Sequence, residues 1–279
     1  MRSRVPNVLS IAGSDPSGGA GIQADLRTFA ALGVYGCAAL TALTAQNTIA
    51  VSSVFPVPAD FVRQQLEAVF SDIELSAVKI GMLGSLAAAR VVAGILREYS
   101  PPFVVLDPVM RASTGAILLD DDAMGVLRDE LMPLATIVTP NASEAGVLAG
   151  TPAPRSVSEA HDAAQRLVAH GARAVLVTGG HLDEPDVSVD VLHTDSDTFE
   201  YRVPRIAAIK THGTGCTLSS AIAAFLARGH ALPDACERAQ RFVADAIARR
   251  GELHAGHGAA PVYQRGAALA PGGHTPLSK

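Results

Sequence analysis

Apolar β-branched runs and segments of helical period take turns along most of this chain. Short runs at residues 8–13, 77–83 and 103–109 are each followed by apolar positions at helical spacing, over 20–32, 85–99 and 120–131. Such alternation predicts βαβ units around a mostly parallel sheet. Another short run follows at 136–139, then a helical stretch over 156–170, then the wholly apolar 174–177 that ends in Gly179-Gly180. Strands covered on both faces have this composition. The period then changes. Val187, Val189 and Val191, and after them Phe199, Tyr201 and Val203, stand two apart among other residues, which predicts an antiparallel hairpin over 187–203. Two further helices are expected, over 214–227 and 233–250, each with a start signal and a glycine near its end. Beyond His257 the sequence is dominated by Ala, Gly and Pro and reads as an unstructured tail, with the domain closing near residue 262 and 263–279 outside it. No internal repeat or long linker divides the chain, so the expectation is one α/β domain, a doubly wound, mostly parallel sheet with helices on both faces.

Composition narrows the function without naming it. At 279 residues, 48% of them hydrophobic, there is material for a large core without disulfides or metal. The formal net charge is −5 and the basic residues are scattered, which argues against nucleic acid or an anionic membrane as partner and for a small molecule. Three cysteines, Cys37, Cys216 and Cys236, are too few and too widely spaced for a disulfide framework and suit a reducing compartment, the cytoplasm by default. Neither a signal peptide nor an apolar run of the roughly 18 residues that a membrane span needs is present.

Four motifs carry chemistry. Ala12-Gly13-Ser14-Asp15-Pro16-Ser17-Gly18-Gly19-Ala20-Gly21 follows a strand and opens a helix, where glycines let backbone approach a ligand; its spacing fits neither a dinucleotide fingerprint nor a P-loop. Taken alone, such a turn is more often structural than functional. Lys210-Thr211-His212-Gly213-Thr214-Gly215-Cys216 precedes an Ala-rich helix, and consecutive N–H groups at a helix N-terminus make an anion-binding concavity. In phosphoryl transfer that nest would hold the charge building on the moving group. Cys216 falls in the first helical turn, where the dipole should lower a thiol pKa, or it is a small core residue; Cys37 and Cys236 read as core. Thr139-Pro140-Asn141-Ala142-Ser143-Glu144 sets an amide and a carboxylate one turn apart, which suits Mg²⁺ beside nucleotide phosphates or ordinary helix capping. Leu106-Asp107-Pro108-Val109 ends an apolar run on a carboxylate that is either a metal or ligand contact or a turn former.

Together and in this order these segments resemble the hydroxymethylpyrimidine and phosphomethylpyrimidine kinases of thiamine biosynthesis, a branch of the ribokinase-like superfamily. Thr41-Ala42-Leu43-Thr44-Ala45-Gln46-Asn47-Thr48 and Val78-Lys79-Ile80-Gly81-Met82-Leu83 add to the likeness, which spans roughly residues 7–262. The resemblance implies ATP-dependent phosphorylation of a hydroxymethylpyrimidine and then of its monophosphate, with Mg²⁺, in a homodimer. It implies that Gly213, Thr214, Gly215 and Cys216 form the anion hole, with Cys216 where most of the superfamily carries an aspartate base. Gly13, Asp25, Gln46, Met82 and Val109 would contact the pyrimidine. Asn141, Glu144, Thr178, Gly180 and Thr211 would face the nucleotide, and Asp107 and Glu144 the metal. The carboxamide of Gln46 can by its own chemistry complement an aminopyrimidine edge, or tie off a strand end.

Two departures stand out. Family members often carry Lys-Gly-Gly-His where this chain has Thr178-Gly179-Gly180-His181, and Lys-Asn-Thr-His-Gly where it has Ile209-Lys210-Thr211-His212-Gly213. A cation near the phosphates is therefore either missing or supplied by Lys210. Rival readings are a pyridoxal kinase, or a pyrimidine sensor without turnover; a dinucleotide-dependent oxidoreductase is disfavoured by the missing fingerprint.

Overall fold

A computed structural model describes residues 4–110, 121–206 and 211–265. Among them a nine-stranded sheet forms the centre. The chain enters through β1 (Asn7–Ser14), α1 (Gly21–Ala31), β2 (Tyr35–Gln46), β3 (Val51–Pro56) and α2 (Ala59–Phe70). It continues through β4 (Leu75–Ile80), α3 (Leu86–Tyr99), β5 (Val104–Leu106), α4 (Asp121–Val126), β6 (Ile137–Val138), α5 (Ala142–Ala149), α6 (Val157–Ala169) and β7 (Ala174–Val177). The last elements are β8 (Val187–Thr194), β9 (Thr198–Pro204), β10 (Thr211–His212), α7 (Thr214–Ala227), α8 (Leu232–Ala248) and β11 (Ala260–Pro261).

The strand order is β3-β2-β1-β4-β5-β6-β7-β8-β9. Strands β2, β1, β4, β5, β6 and β7 run parallel, and antiparallel β3 closes one edge while the β8–β9 hairpin closes the other. The sheet is covered on both faces because successive side chains of a strand point opposite ways. Val104 and Leu106 join the core that includes residues of α2, α3, α5 and α6, while Val105 between them joins the core built with α7 and α8. This is the doubly wound architecture with its hairpin, as the residue pattern predicts. The pattern does not reveal β2, β3 or α2.

The expected tail starts too early. Ala260–Pro261 pairs in parallel with Thr211–His212, Val262 is buried, and the Gln264 amide donates to Thr217 Oγ1 at 2.9 Å. Residues 258–265 are therefore packed; the rest of the expected tail, from 266 on, lies outside the described residues, as does Lys210. No helix among the described residues is long and apolar enough to cross a membrane.

Parallel strands deliver their carboxyl ends to one edge. Ser14, Ile80, Leu106, Val138 and Val177 end there, and the motif residues follow each of them. From β1 the chain turns to β2 on one side and later resumes at β4 on the other, which opens a crevice between β1 and β4, the place where ligands bind in such sheets.

Candidate active site

Two glycine-rich turns far apart in sequence meet at this edge. The turn leaving β1 is organised by Asp15, whose carboxylate accepts the Ser17 N–H (2.9 Å), the Ser17 hydroxyl (2.7 Å) and the Ala20 N–H (2.8 Å) and lies 2.9 Å from His212 Nε2. Burial works against its charge, yet the bonds from His212, Ser17 and Ala20 hold its pKa below the usual value. Gly213, at φ +81°, lies directly against the Gly19 carbonyl, and Gly19 leaves room for the His212 ring. A side chain at either position would force the turns apart.

The turns bring two helix N-termini together. Neither Ala20 before α1 nor Gly213 before α7 offers a side-chain cap, so first-turn N–H groups of these helices can be directed at a neighbouring sulfur or a ligand. The Gly21 N–H is directed at the Cys216 sulfur. The expectation that the α7 dipole lowers this thiol is reversed. Burial pushes Cys216 up to about 12; Lys79 opposes the shift, while Asp107 and Asp25 add to it. A dipole acts at the end of one helix, whereas the partial burial of this side chain strips water from the thiolate.

Beneath Cys216 lies a buried ion pair. Lys79 Nζ sits 2.9 Å from both oxygens of Asp25, and both side chains are 0% exposed. Asp25 also accepts the hydroxyls of Ser10 (2.6 Å) and Ser220 (2.7 Å). The attraction of Asp25 keeps the Lys79 ammonium protonated despite its burial. Asp25 was expected to line the pocket; its carboxylate is instead wholly engaged inside the core and presents no surface.

The remaining residues expected around the substrate do gather near this crevice. Gly13 is pressed against the Met82 side chain, with Met82 Sδ 3.5 Å from where a Cβ would stand. Val109 is half-buried and its N–H closes a tight turn on the Asp107 carbonyl at 2.8 Å. The Gln46 amide lies 3.1 Å from His212 Nε2, which places it beside the joined turns.

On the other side of α7 stands a pair of buried acids. Asp107 Oδ2 is 3.1 Å from Ser219 Oγ and faces Gly215, where an added Cβ would lie 3.8 Å away. Burial raises Asp107 to about 6 although Lys79 and Ser219 oppose it, and burial together with the charge of Asp107 raises Glu144 to about 8. Glu144 also closes a capping box: it accepts the Asn141 N–H at 2.9 Å while its own N–H donates to Asn141 Oδ1 at 3.0 Å. Capping and ligand binding thus share the same residues. Thr178 bridges Asn141, Gly180 is exposed beyond it, and Thr211 Oγ1 stands 3.0 Å from Thr214 Oγ1. Two hard oxygen donors that repel one another suit a divalent cation. Among the described residues no group of three or more His, Cys, Asp or Glu side chains could hold a metal by itself, so an ion here would need ligand oxygens as well.

Comparison with known proteins identifies the family. The model of the phosphomethylpyrimidine kinase family matches residues 15–263. This chain belongs to that family. It is 46% identical over 257 residues to the hydroxymethylpyrimidine/phosphomethylpyrimidine kinase of Escherichia coli K12, covering 92% of this chain and 96% of that one. Among solved structures, the phosphomethylpyrimidine kinase of Clostridium difficile 630 superimposes with a TM-score of 0.77 at 40% identity, over 87% of this chain and 99% of that one. The pyridoxal kinase of Staphylococcus aureus, solved with AMP-PCP and pyridoxal, gives 0.85 at 34% identity over 94% of each. The chain is accordingly a kinase, a phosphotransferase of the phosphomethylpyrimidine kinase family.

Two side chains of this phosphomethylpyrimidine kinase family member gain importance only in three dimensions. Lys79 is one, and its signal was a lone lysine inside the apolar run Ala77-Val78-Lys79-Ile80. Arg205 is the other. Its guanidinium reaches the carbonyl oxygens of Gly179, Gly180, Leu182 and Glu184 at 2.7–3.3 Å and so ties down the loop that follows Thr178. Nothing in the sequence around Arg205 distinguishes it.

Proposed function

We propose that this protein transfers a phosphoryl group from ATP to 4-amino-5-hydroxymethyl-2-methylpyrimidine and then to its monophosphate, yielding the diphosphate used in thiamine biosynthesis. The observation that carries the reading is the convergence of the α1 and α7 N-termini on Cys216, with Asp107 and Glu144 alongside. In the first transfer an O–P bond forms at the hydroxymethyl oxygen, the bond from the γ-phosphorus to ADP breaks and the hydroxyl proton passes to a phosphoryl oxygen or to water; in the second the attacking oxygen is that of a phosphate monoester and carries no proton to lose. The chain's contribution is mainly positioning and electrostatics. N–H groups of Gly213, Thr214, Gly215 and Cys216 hold the charge that builds on the moving phosphoryl group. Cys216, with its thiol protonated, orients the hydroxyl. Gly13, Met82, Val109 and Gln46 surround the ring, and Asn141, Thr178, Gly180 and Thr211 face the nucleotide. Asp107 and Glu144 would hold Mg²⁺, which when bound neutralises phosphate charge.

A pyridoxal kinase is the second reading, favoured by the fit to the S. aureus enzyme. The higher identity to pyrimidine kinases puts it second. Free Cys37, Cys216 and Cys236 support a cytoplasmic setting. A homodimer is supported by edge strand β3 and its surroundings, where Leu43 faces Phe55 across the β2–β3 pair and Ile49 and Phe61 are also exposed. ADP formation from ATP and Mg²⁺, measured with the pyrimidine, its monophosphate and pyridoxal, tests the reading; absence of turnover on both pyrimidines would overturn it.

A further inference from the structure

Four elements meet at one carboxylate. Asp25 of α1 receives Lys79 Nζ of β4 on both oxygens, the Ser10 hydroxyl of β1 and the Ser220 hydroxyl of α7, and all four residues are fully buried. One residue earlier in α7, Ser219 reaches Asp107 at the end of β5. The helix that carries Cys216 is thus fastened to the sheet floor through two carboxylates. Space is reserved for the ammonium: a Cβ at Gly81 would come within 2.8 Å of Lys79 Nζ.

A fastening alone does not call for charge. Apolar side chains of equal volume hold elements together at least as well as a buried ion pair, because ions lose their hydration on burial. A cation kept in the interior directly under a turn that must receive negative charge has a different use. We propose that Lys79 is a positioning residue for phosphoryl transfer, acting through Asp25 and Ser220 to set the first turns of α7 and contributing fixed positive charge beneath them. The inference rests on Gly213, Thr214, Gly215 and Cys216 being the reaction centre.

The test separates charge from scaffold. Lys79→Met strands a buried carboxylate and should lower the melting temperature. Lys79→Met with Asp25→Asn removes both charges and leaves one carbonyl oxygen to accept from Ser10 or Ser220, with an amide N–H that can donate to the other hydroxyl. The double variant should regain most of the lost melting temperature, yet its kcat on the hydroxymethylpyrimidine should stay down by about tenfold or more, with KM for the pyrimidine within about threefold. Recovery of kcat together with the melting temperature would reduce the pair to a scaffold and overturn the proposal. Should the double variant not fold, Ser220→Ala decides, since it deletes only the hydroxyl that links α7 to Asp25. A kcat loss of about fivefold, the rate equivalent of one hydrogen bond, with KM unchanged supports the proposal. A kcat within about twofold of the parent overturns it. Cys216→Ala is assayed alongside: full turnover there counts against the reaction centre, whereas a loss in Cys216→Ala without one in Ser220→Ala counts against Lys79.

Discussion

Gly213 and Gly215 stand two residues apart and are glycines for different reasons, which permits a sharp experiment. Gly213 adopts a left-handed φ of +81° and touches the Gly19 carbonyl, so any side chain there damages the turn itself. Gly215 lies in the first turn of α7, outside the left-handed region, and its nearest neighbour to an added Cβ is Asp107 Oδ2 at 3.8 Å, an ordinary contact. Nothing in the fold demands glycine at 215; the bare backbone leaves its N–H open to a reactant. Gly215→Val should therefore fold normally. Helix propensity differs by only about 0.5 kcal/mol between the two residues, in favour of valine, so the unfolding free energy should change by no more than about that amount. Turnover should behave otherwise. Blocking one donor of an anion hole costs on the order of 100- to 1,000-fold, about 2.7–4 kcal/mol of transition-state stabilisation. Urea titration and ADP release measured on the same preparation give both quantities. Gly213→Ala serves as contrast and should lose stability as well, by roughly 1–2 kcal/mol for the left-handed conformation alone. A Gly215→Val protein that is as stable as its parent and as active would refute the assignment of this turn.

Replacing Cys216 by Ala should lower kcat much more than it raises KM for the pyrimidine; equal losses would point to packing alone. The raised thiol pKa also predicts alkylation of Cys216 at pH 8 slower than that of an unhindered thiol, measured by mass spectrometry, and fast labelling would contradict it. Glu144 and Asp107 carry folded-state pKa values above their unfolded ones, so their contribution to stability is fully present only below the unfolded values of 4.5 and 3.8 and is lost as pH rises through about 6 for Asp107 and about 8 for Glu144. Glu144→Gln should accordingly raise the melting temperature at pH 9, by roughly 2–4 °C for each kcal/mol of relief, and have little effect at pH 5; an equal change at both would refute the buried-charge argument. Substituting Asp for Leu43 and Phe55 should convert a dimer to a monomer in light scattering, and an unchanged mass would remove that interface.

The fold was largely legible because its parallel strands are short apolar runs and its helices carry a clear period: the strand at 174–177 and the helix over 214–227 coincide with β7 and α7. The stretch from Tyr35 to Phe70 was not. Strand β2 is rich in small residues, Gly36-Cys37-Ala38-Ala39 among them, and its burial does not alternate cleanly, because its first part pairs with β1 and only its last part, from Ala42, pairs with β3. The packed segment near Gln264 was hidden for a different reason, since a Gly- and Pro-rich stretch can be held by hydrogen bonds that leave no hydrophobic pattern. Within the site, the glycine turns could be read from spacing. The placement of Asp25 could not, because a carboxylate one turn into a helix faces ligand or core according to what stands opposite, and Lys79 is 54 residues away in sequence. The sign of the Cys216 shift was likewise decided by tertiary burial, which outweighs the local dipole.

The central claim is that phosphoryl transfer to a hydroxymethylpyrimidine occurs at the Cys216 turn. It is tested most directly by a coupled ADP assay with ATP and Mg²⁺ on hydroxymethylpyrimidine, its monophosphate and pyridoxal, with Cys216→Ala in parallel. The account predicts turnover on both pyrimidines that collapses in the variant; tight binding of the pyrimidine with no ADP formed, or turnover confined to pyridoxal, would contradict it.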